Sequence, residues 1–223
     1  MIYRSKRTQQ DIKLKNYTLF GKGYFMGEYR CEGMGSVNGG TYDKLYVEGI
    51  FTAKGPIKAN QVSGEGIMKF SALSAETLTL EGVTKVNGLL EAGSCHSEGV
   101  LKAGAIIVSG NIYAEGVVNT NSLQADSATL LHNNEKESLH PLAKVRSLFS
   151  GRDVQDEKNA RIRDIEANTL VMEDYSVQKI VGKDITIGRG CIVDYVQADV
   201  RLRIHKTAQV KNITGSAVPE YFE

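Results

Sequence analysis

The chain has no Trp, only 3 Pro and 3 Cys, and just 7% aromatic residues in 223 positions. With so few rings, the interior falls to small and β-branched side chains rather than to aromatic packing. The cysteines, Cys31, Cys95 and Cys191, are odd in number and far apart, with no CxxC pair or Cys/His cluster. That argues against a zinc site and a disulfide framework, and reduced thiols in a cytoplasm are expected. Charge of one sign is missing too: 27 Lys and Arg against 26 Asp and Glu give a formal net charge of +1. A sequence-blind nucleic-acid binder shows a basic excess, so no nucleic-acid partner is expected. No apolar run reaches the ~18–20 residues that span a membrane. The opening Met1-Ile2-Tyr3-Arg4-Ser5-Lys6-Arg7 lacks the apolar stretch of a signal peptide, so a cytoplasmic location is expected.

Glycine is plentiful, at 23 residues, and 41% of the chain is hydrophobic. A Glu-Gly pair returns six times, at Glu32-Gly33, Glu48-Gly49, Glu65-Gly66, Glu81-Gly82, Glu98-Gly99 and Glu115-Gly116. The intervals are 16, 17, 16, 17 and 17 residues. A fixed period means one unit copied along an axis, each copy stacked on the last. Helical repeat families need ~33 residues or more and are excluded by length.

Aligned on the pair, the repeats form apolar columns. Leu45, Val62, Leu78, Cys95 and Ile112 precede the Glu by three residues, and Met34, Ile50, Ile67, Val83, Val100 and Val117 follow it by two. Val37, Ala53, Phe70, Val86, Ala103 and Thr120 follow by five, and a looser column holds Ile57, Leu73, Leu89, Ile106 and Leu123. Short apolar runs cut by Gly or polar pairs read as strands. The expected fold is all-β: a single parallel β-helix of 16–17 residues per rung, its rungs ~4.8 Å apart. Gly33, Gly49, Gly66, Gly82, Gly99 and Gly116 are expected at one corner, where positive φ costs glycine little.

The stacked Glu residues repel by roughly 1 kcal/mol per neighbour even in water. Lys69, Lys85 and Lys102 form a nearby outward column that can partly neutralise them. The ladder reads as a solvated face, with a cation or basic partner as the other reading.

The period stops after Leu131. Residues 132–164 are charged and nearly free of Gly. Leu139, Leu142, Val145 and Leu148 recur every three residues, with Ser138 as an N-cap and Pro141 in the first turn. This spacing predicts a short helical insertion, with a second short helix near 157–163. The period then resumes: Val177 with Ile180, Val193 with Val196, Val210 with Ile213, and Leu170, Ile187 and Ile204. The expected organisation is an N-terminal segment and cap (1–30), rungs (31–131), the insertion (132–164), rungs (165–215) and a tail (216–223). About nine rungs give a rod of roughly 43 Å.

No catalytic constellation, cofactor site or metal site is legible. His96 is expected outward beside an inward Cys95, and a lone outward His is rarely a ligand. Gly33-Met34-Gly35-Ser36-Val37-Asn38-Gly39-Gly40 lacks the Lys-Ser/Thr ending of a phosphate-cradling loop. Ile185-Thr186-Ile187-Gly188-Arg189-Gly190-Cys191-Ile192 suggests a hexapeptide-repeat acyltransferase, but three six-residue faces repeat at 18. A sugar-degrading β-helix would show longer coils, clustered carboxylates and aromatic platforms. A non-polymerising binding rod is a further alternative.

Stretches such as Glu81-Gly82-Val83-Thr84-Lys85-Val86-Asn87-Gly88 and Ile107 to Gly116, at this period, resemble the bactofilin family. The resemblance covers residues 30–131 and, less closely, 165–215. It implies a right-handed β-helix that polymerises end to end without nucleotide into non-polar filaments. Such proteins are bacterial scaffolds in cell shape, envelope growth or motility, often near the membrane, and partner with themselves or a paralogue. The chain departs from that pattern in lacking long Pro-rich tails and in carrying the insertion, which either caps, regulates or docks a partner. Phe20, Tyr24 and Phe25, with Tyr17 and Tyr29, and Tyr221 with Phe222 at the other end, either cap the core or form the subunit interface. The basic start (Arg4, Lys6, Arg7, Lys13, Lys15) offers weak contact with anionic lipid, about 1 kcal/mol per charge.

Overall fold

The computed structural model describes residues 27–132 and 160–223, and the backbone of residues 12–15. The elements are β1 (Ile12–Lys15), β2 (Glu28–Val37), β3 (Gly40–Ala53), β4 (Ile57–Phe70), β5 (Leu73–Leu131), β6 (Arg161–Glu173), β7 (Ser176–Ile187), β8 (Ile192–His205), β9 (Gln209–Thr214) and β10 (Pro219–Phe222). Each pairs in parallel with the segment one repeat along, in the order β1-β2-β3-β4-β5-β6-β7-β8-β10, and β9 also pairs with β8. The described residues are therefore all-β, a solenoid of about ten turns. It exceeds nine because turns form outside the expected blocks, in β1, at Arg161–Asp164 and in β10.

Rung length is set by the register. Leu45 pairs with Val62, and Val62 with Leu78, which reproduces the 17 and 16 of the sequence. Between β6 and β7 the offset shortens, with Ile162 on Val177 and Leu170 on Ile185. Leu170, Ile187 and Ile204 are thus not one column as expected. Leu170, Ile185 and Leu202 stack, and Met172, Ile187 and Ile204 stack beside them. A 15-residue rung had moved the alignment by two positions.

The core is one continuous set of inward columns, including Leu45, Val62, Leu78, Cys95, Ile112 and Leu170. Each such Val, Leu or Ile contributes about 1.5–3 kcal/mol on full burial. Two expected inward columns need correction. Met34 is 46% exposed, and Ile50, Ile67 and Val83 are half-buried; only Val100 and Val117 of that column are buried. The residue one position later fills the core instead: Phe51, Met68, Thr84, Leu101 and Val118. The positive-φ glycine just before breaks the in–out alternation, so from Met34 to Val83 the residue after it rides on the corner, while the next one points inward from Phe51 onward. Leu89 likewise lies outside, at 39% exposure, and Leu90 takes the inward place.

The expected helix at Ser138–Phe149 lies outside the described residues. So does most of the second helix near 157–163, but its last part is strand: Arg161–Arg163 open β6 and Ile162 is core. Ala160 with Ile162, and Ile165 with Ala167, are inward at the strand period, and Ile162 sits over Thr120. The tail expected at 216–223 is also partly strand, since Pro219–Phe222 continues the ladder on Leu202–His205.

Candidate assembly surfaces

All six corner glycines fall where the period placed them, with φ from 91° at Gly33 to 124° at Gly49 and Gly116. Gly33, Gly49, Gly66 and Gly82 stack in register. A Cβ on Gly66 would come 2.2 Å from the Gly49 carbonyl oxygen, and one on Gly116 2.1 Å from that of Gly99. The corner therefore requires glycine twice over, for its φ and for the rung beneath it.

In the second block Asp174 takes the glycine's place in one turn, and Gly190, at φ 66°, stands at the corner in the next. Asp174, at φ 58°, is the one non-glycine residue with positive φ among the described residues. Aspartate tolerates that region better than most side chains. One turn earlier, His132 stands at the last described position before residues 133–159, and its N–H donates to the Glu173 carbonyl at 3.2 Å. The chain rejoins at Ala160, stacked beneath Tyr175. Tyr175 spans this seam: its hydroxyl donates to the Gly116 carbonyl at 2.8 Å, and its ring meets the buried His132 edge-on at 6.2 Å. Burial pushes its phenol well above the ordinary value. Nothing in the periodicity marked Tyr175; its place in a column of Val118, Ala160 and Cys191 is visible only once the register is known.

The Glu ladder faces outward. Glu32, Glu48, Glu65 and Glu81 stack in register, and Glu48, Glu65, Glu81 and Glu98 are exposed. Lys69 and Lys85 stack on Thr52 just past the corner. Among the described residues, no ion pair joins Glu48, Glu65 or Glu81 to these lysines, so the expected neutralisation acts at most through space. His96 is outward as expected, accompanied rather than alone: it hydrogen-bonds Glu98 at 3.0 Å and stacks on Tyr113 at 5.1 Å. Cys95 points inward, and burial raises its thiol to about 12. Among the described residues no three His, Cys, Asp or Glu side chains converge on a point that would hold a metal ion.

A groove of about 630 Å³ runs along another corner past Pro56, Ile57, Leu73 and Leu89, with Lys58 and Glu91 at its rim. Within it the Ser74 hydroxyl donates to the Glu91 carboxylate at 3.4 Å, on an exposed part of the wall.

The two ends of the rod differ in what is described. Phe20, Tyr24 and Phe25, with Tyr17, lie outside the described residues, and Tyr29 is core. At the far end β9 and β10 bond to β8 on one side, and no described strand covers the other. Tyr221 continues the inward column of Met172, Ile187 and Ile204, yet it is 65% exposed. Val210 and Ile213 hold inward places and are only half-buried, and Val218 is open. Phe222 lies one column out, between the Arg203 guanidinium at 4.8 Å and the His205 ring at 5.3 Å. Among the described residues, nothing covers these core positions or the strand edge beside them.

Compared with family models, with curated proteins and with solved structures, the chain matches none of them. The fold and these surfaces carry the functional reading by themselves.

Proposed function

We propose that the chain is a non-enzymatic scaffold that assembles with itself end to end, without nucleotide, into cytoskeletal filaments of the bactofilin kind. The observation that carries this reading is the end of the coil at β8–β10, where no described residue covers the core positions or the backbone edge. An uncovered edge of parallel strands is a template for another strand, and proteins that remain single blunt or cover it. Stacking another rod end there pairs that edge and buries Tyr221, Val210 and Ile213 in one step.

In this reading the partner is a second copy or a paralogue, the location is cytoplasmic with weak peripheral contact at anionic membranes, and the task is support of cell shape, envelope growth or motility. Right-handed winding and non-polar filaments follow from the same resemblance. The acyltransferase rival predicts 18-residue rungs, whereas the register offsets run from 15 to 17.

The test is light scattering of purified protein, without nucleotide, over a concentration series, together with an assay against coenzyme A thioesters. Scattering that rises above a critical concentration, with no acyl transfer, is expected. A constant single-rod mass throughout, or acyl transfer, overturns the proposal.

A further inference from the structure

One corner of the rod carries three parallel stripes. In three successive turns, from β3 to the start of β5, the chain passes an outward acid, a glycine, a half-buried apolar side chain, an inward residue and an outward polar or basic residue. In β4 these are Glu65, Gly66, Ile67, Met68 and Lys69. The register stacks Glu48, Glu65 and Glu81 into an acidic stripe, and Met34, Ile50, Ile67 and Val83 into an apolar ridge. Lys69 and Lys85 stack into a basic stripe. The ridge is Met34 at 46% exposure with three half-buried neighbours, and it ends where Val100 and Val117 are buried. The glycine column beside it carries no side chain to hold a partner away.

We propose that this corner pairs laterally with the same corner of a second copy, the two rods side by side and parallel. Symmetry selects the orientation. A two-fold axis along the rods sets each acidic stripe against the partner's basic stripe and ridge against ridge, as an isologous contact requires. Turning one rod end for end sets acid against acid and base against base, which repels. The two rods share one rung spacing, so every Glu–Lys match repeats in step along the contact.

Four apolar side chains and a few charges make a contact of the weak, transient size class. It becomes strong when many copies in one filament engage together, and in that strength it rests on the end-to-end reading. Lateral pairing is then the salt-sensitive step that turns single filaments into paired ones.

The test uses the full chain with Val83→Cys, which the two-fold axis places opposite its own copy. Mild oxidation at low salt is expected to give a disulfide-linked dimer, reduced about five-fold or more near 0.5 M salt. Adding Glu65→Lys with Glu81→Lys, or Lys69→Glu with Lys85→Glu, is expected to abolish it. Mixing these two charge variants is expected to restore it, because each supplies the stripe that the other lacks. Restoration also shows that both variants fold.

Failure of the mixture to cross-link overturns the proposal. So does equal cross-linking of Val83→Cys to Ile50→Cys, which marks antiparallel rods. A Val83→Cys thiol shielded from maleimide in a monomer overturns it as well, since the chain's own segment then covers the ridge. Electron microscopy of the same samples separates the two readings. Filaments without cross-links overturn the lateral pair alone, and cross-linked pairs without filaments overturn end-to-end growth alone.

Discussion

Tyr221 stands directly over Ile204 in the parallel ladder, but Ile204 is 2% exposed and Tyr221 is 65% exposed. The same column is sealed at one turn and open at the next because nothing described stacks above it. Replacing Tyr221 with Asp puts a charge where the next rod's core would rest. The expected result is a critical concentration for assembly raised at least ten-fold, about 1.4 kcal/mol, with a thermal midpoint within a few degrees of the parent. Assembly at the parental concentration would detach the open end from self-association.

Gly66→Ala tests the corner. Its Cβ would meet the Gly49 carbonyl oxygen at 2.2 Å on a backbone at φ +116°. A loss on the order of 3 kcal/mol is expected in denaturant titrations. Gly88→Ala is the control, since its nearest contact is Ser71 O at 3.1 Å and its φ lies outside the glycine-favouring range. About 1 kcal/mol or less is expected there.

Tyr175→Phe keeps the buried ring and removes the hydroxyl that holds the Gly116 carbonyl at 2.8 Å. A cost of about 1–2 kcal/mol is expected from the lost bond and the unpaired carbonyl. Amide hydrogen exchange should speed up locally around Gly116 and Ala160. An unchanged exchange pattern would show that the seam is held without this bond.

The buried thiols and phenols set the alkaline limit. Burial raises Cys95 to about 12 and Cys191 to about 11, and moves Tyr175 upward as well. In the unfolded chain these groups lose their protons at their ordinary values, while the folded chain keeps them. Stability is therefore full below about pH 8 and falls above it, by about 1.4 kcal/mol per pH unit for each group once past its ordinary value. Denaturant midpoints measured from about pH 8 to pH 11 check this, and a flat profile would contradict the burial of these groups. At neutral pH, Cys95 and Cys191 should resist thiol reagents until the chain unfolds.

The Glu-Gly period made the solenoid legible because each turn of the first block returns the chain to the same corner at positive φ, close against the rung beneath. It also located the inward column from Leu45 to Ile112, since Glu and Gly fix the phase. The phase was lost one residue past the corner, where the positive φ of glycine turns Ile50, Ile67 and Val83 outward. Composition gives no sign of that turn, and the three-stripe corner was hidden with it. At 174 the corner is Asp, not Gly, and the adjoining rung is shorter, so the second block's columns were misassigned. The exposure of Tyr221 was not legible, because it depends on what stacks above it in space and not on its place in the period.

The most direct test of the scaffold reading is diffraction or high-resolution electron microscopy of protein assembled without nucleotide. Filaments are expected with an unbroken ~4.8 Å spacing along the axis and a subunit repeat on the order of 50 Å, about ten rungs stacked end to end. Discrete particles alone at high concentration, or filaments with the 4.8 Å spacing across their axis, would contradict it.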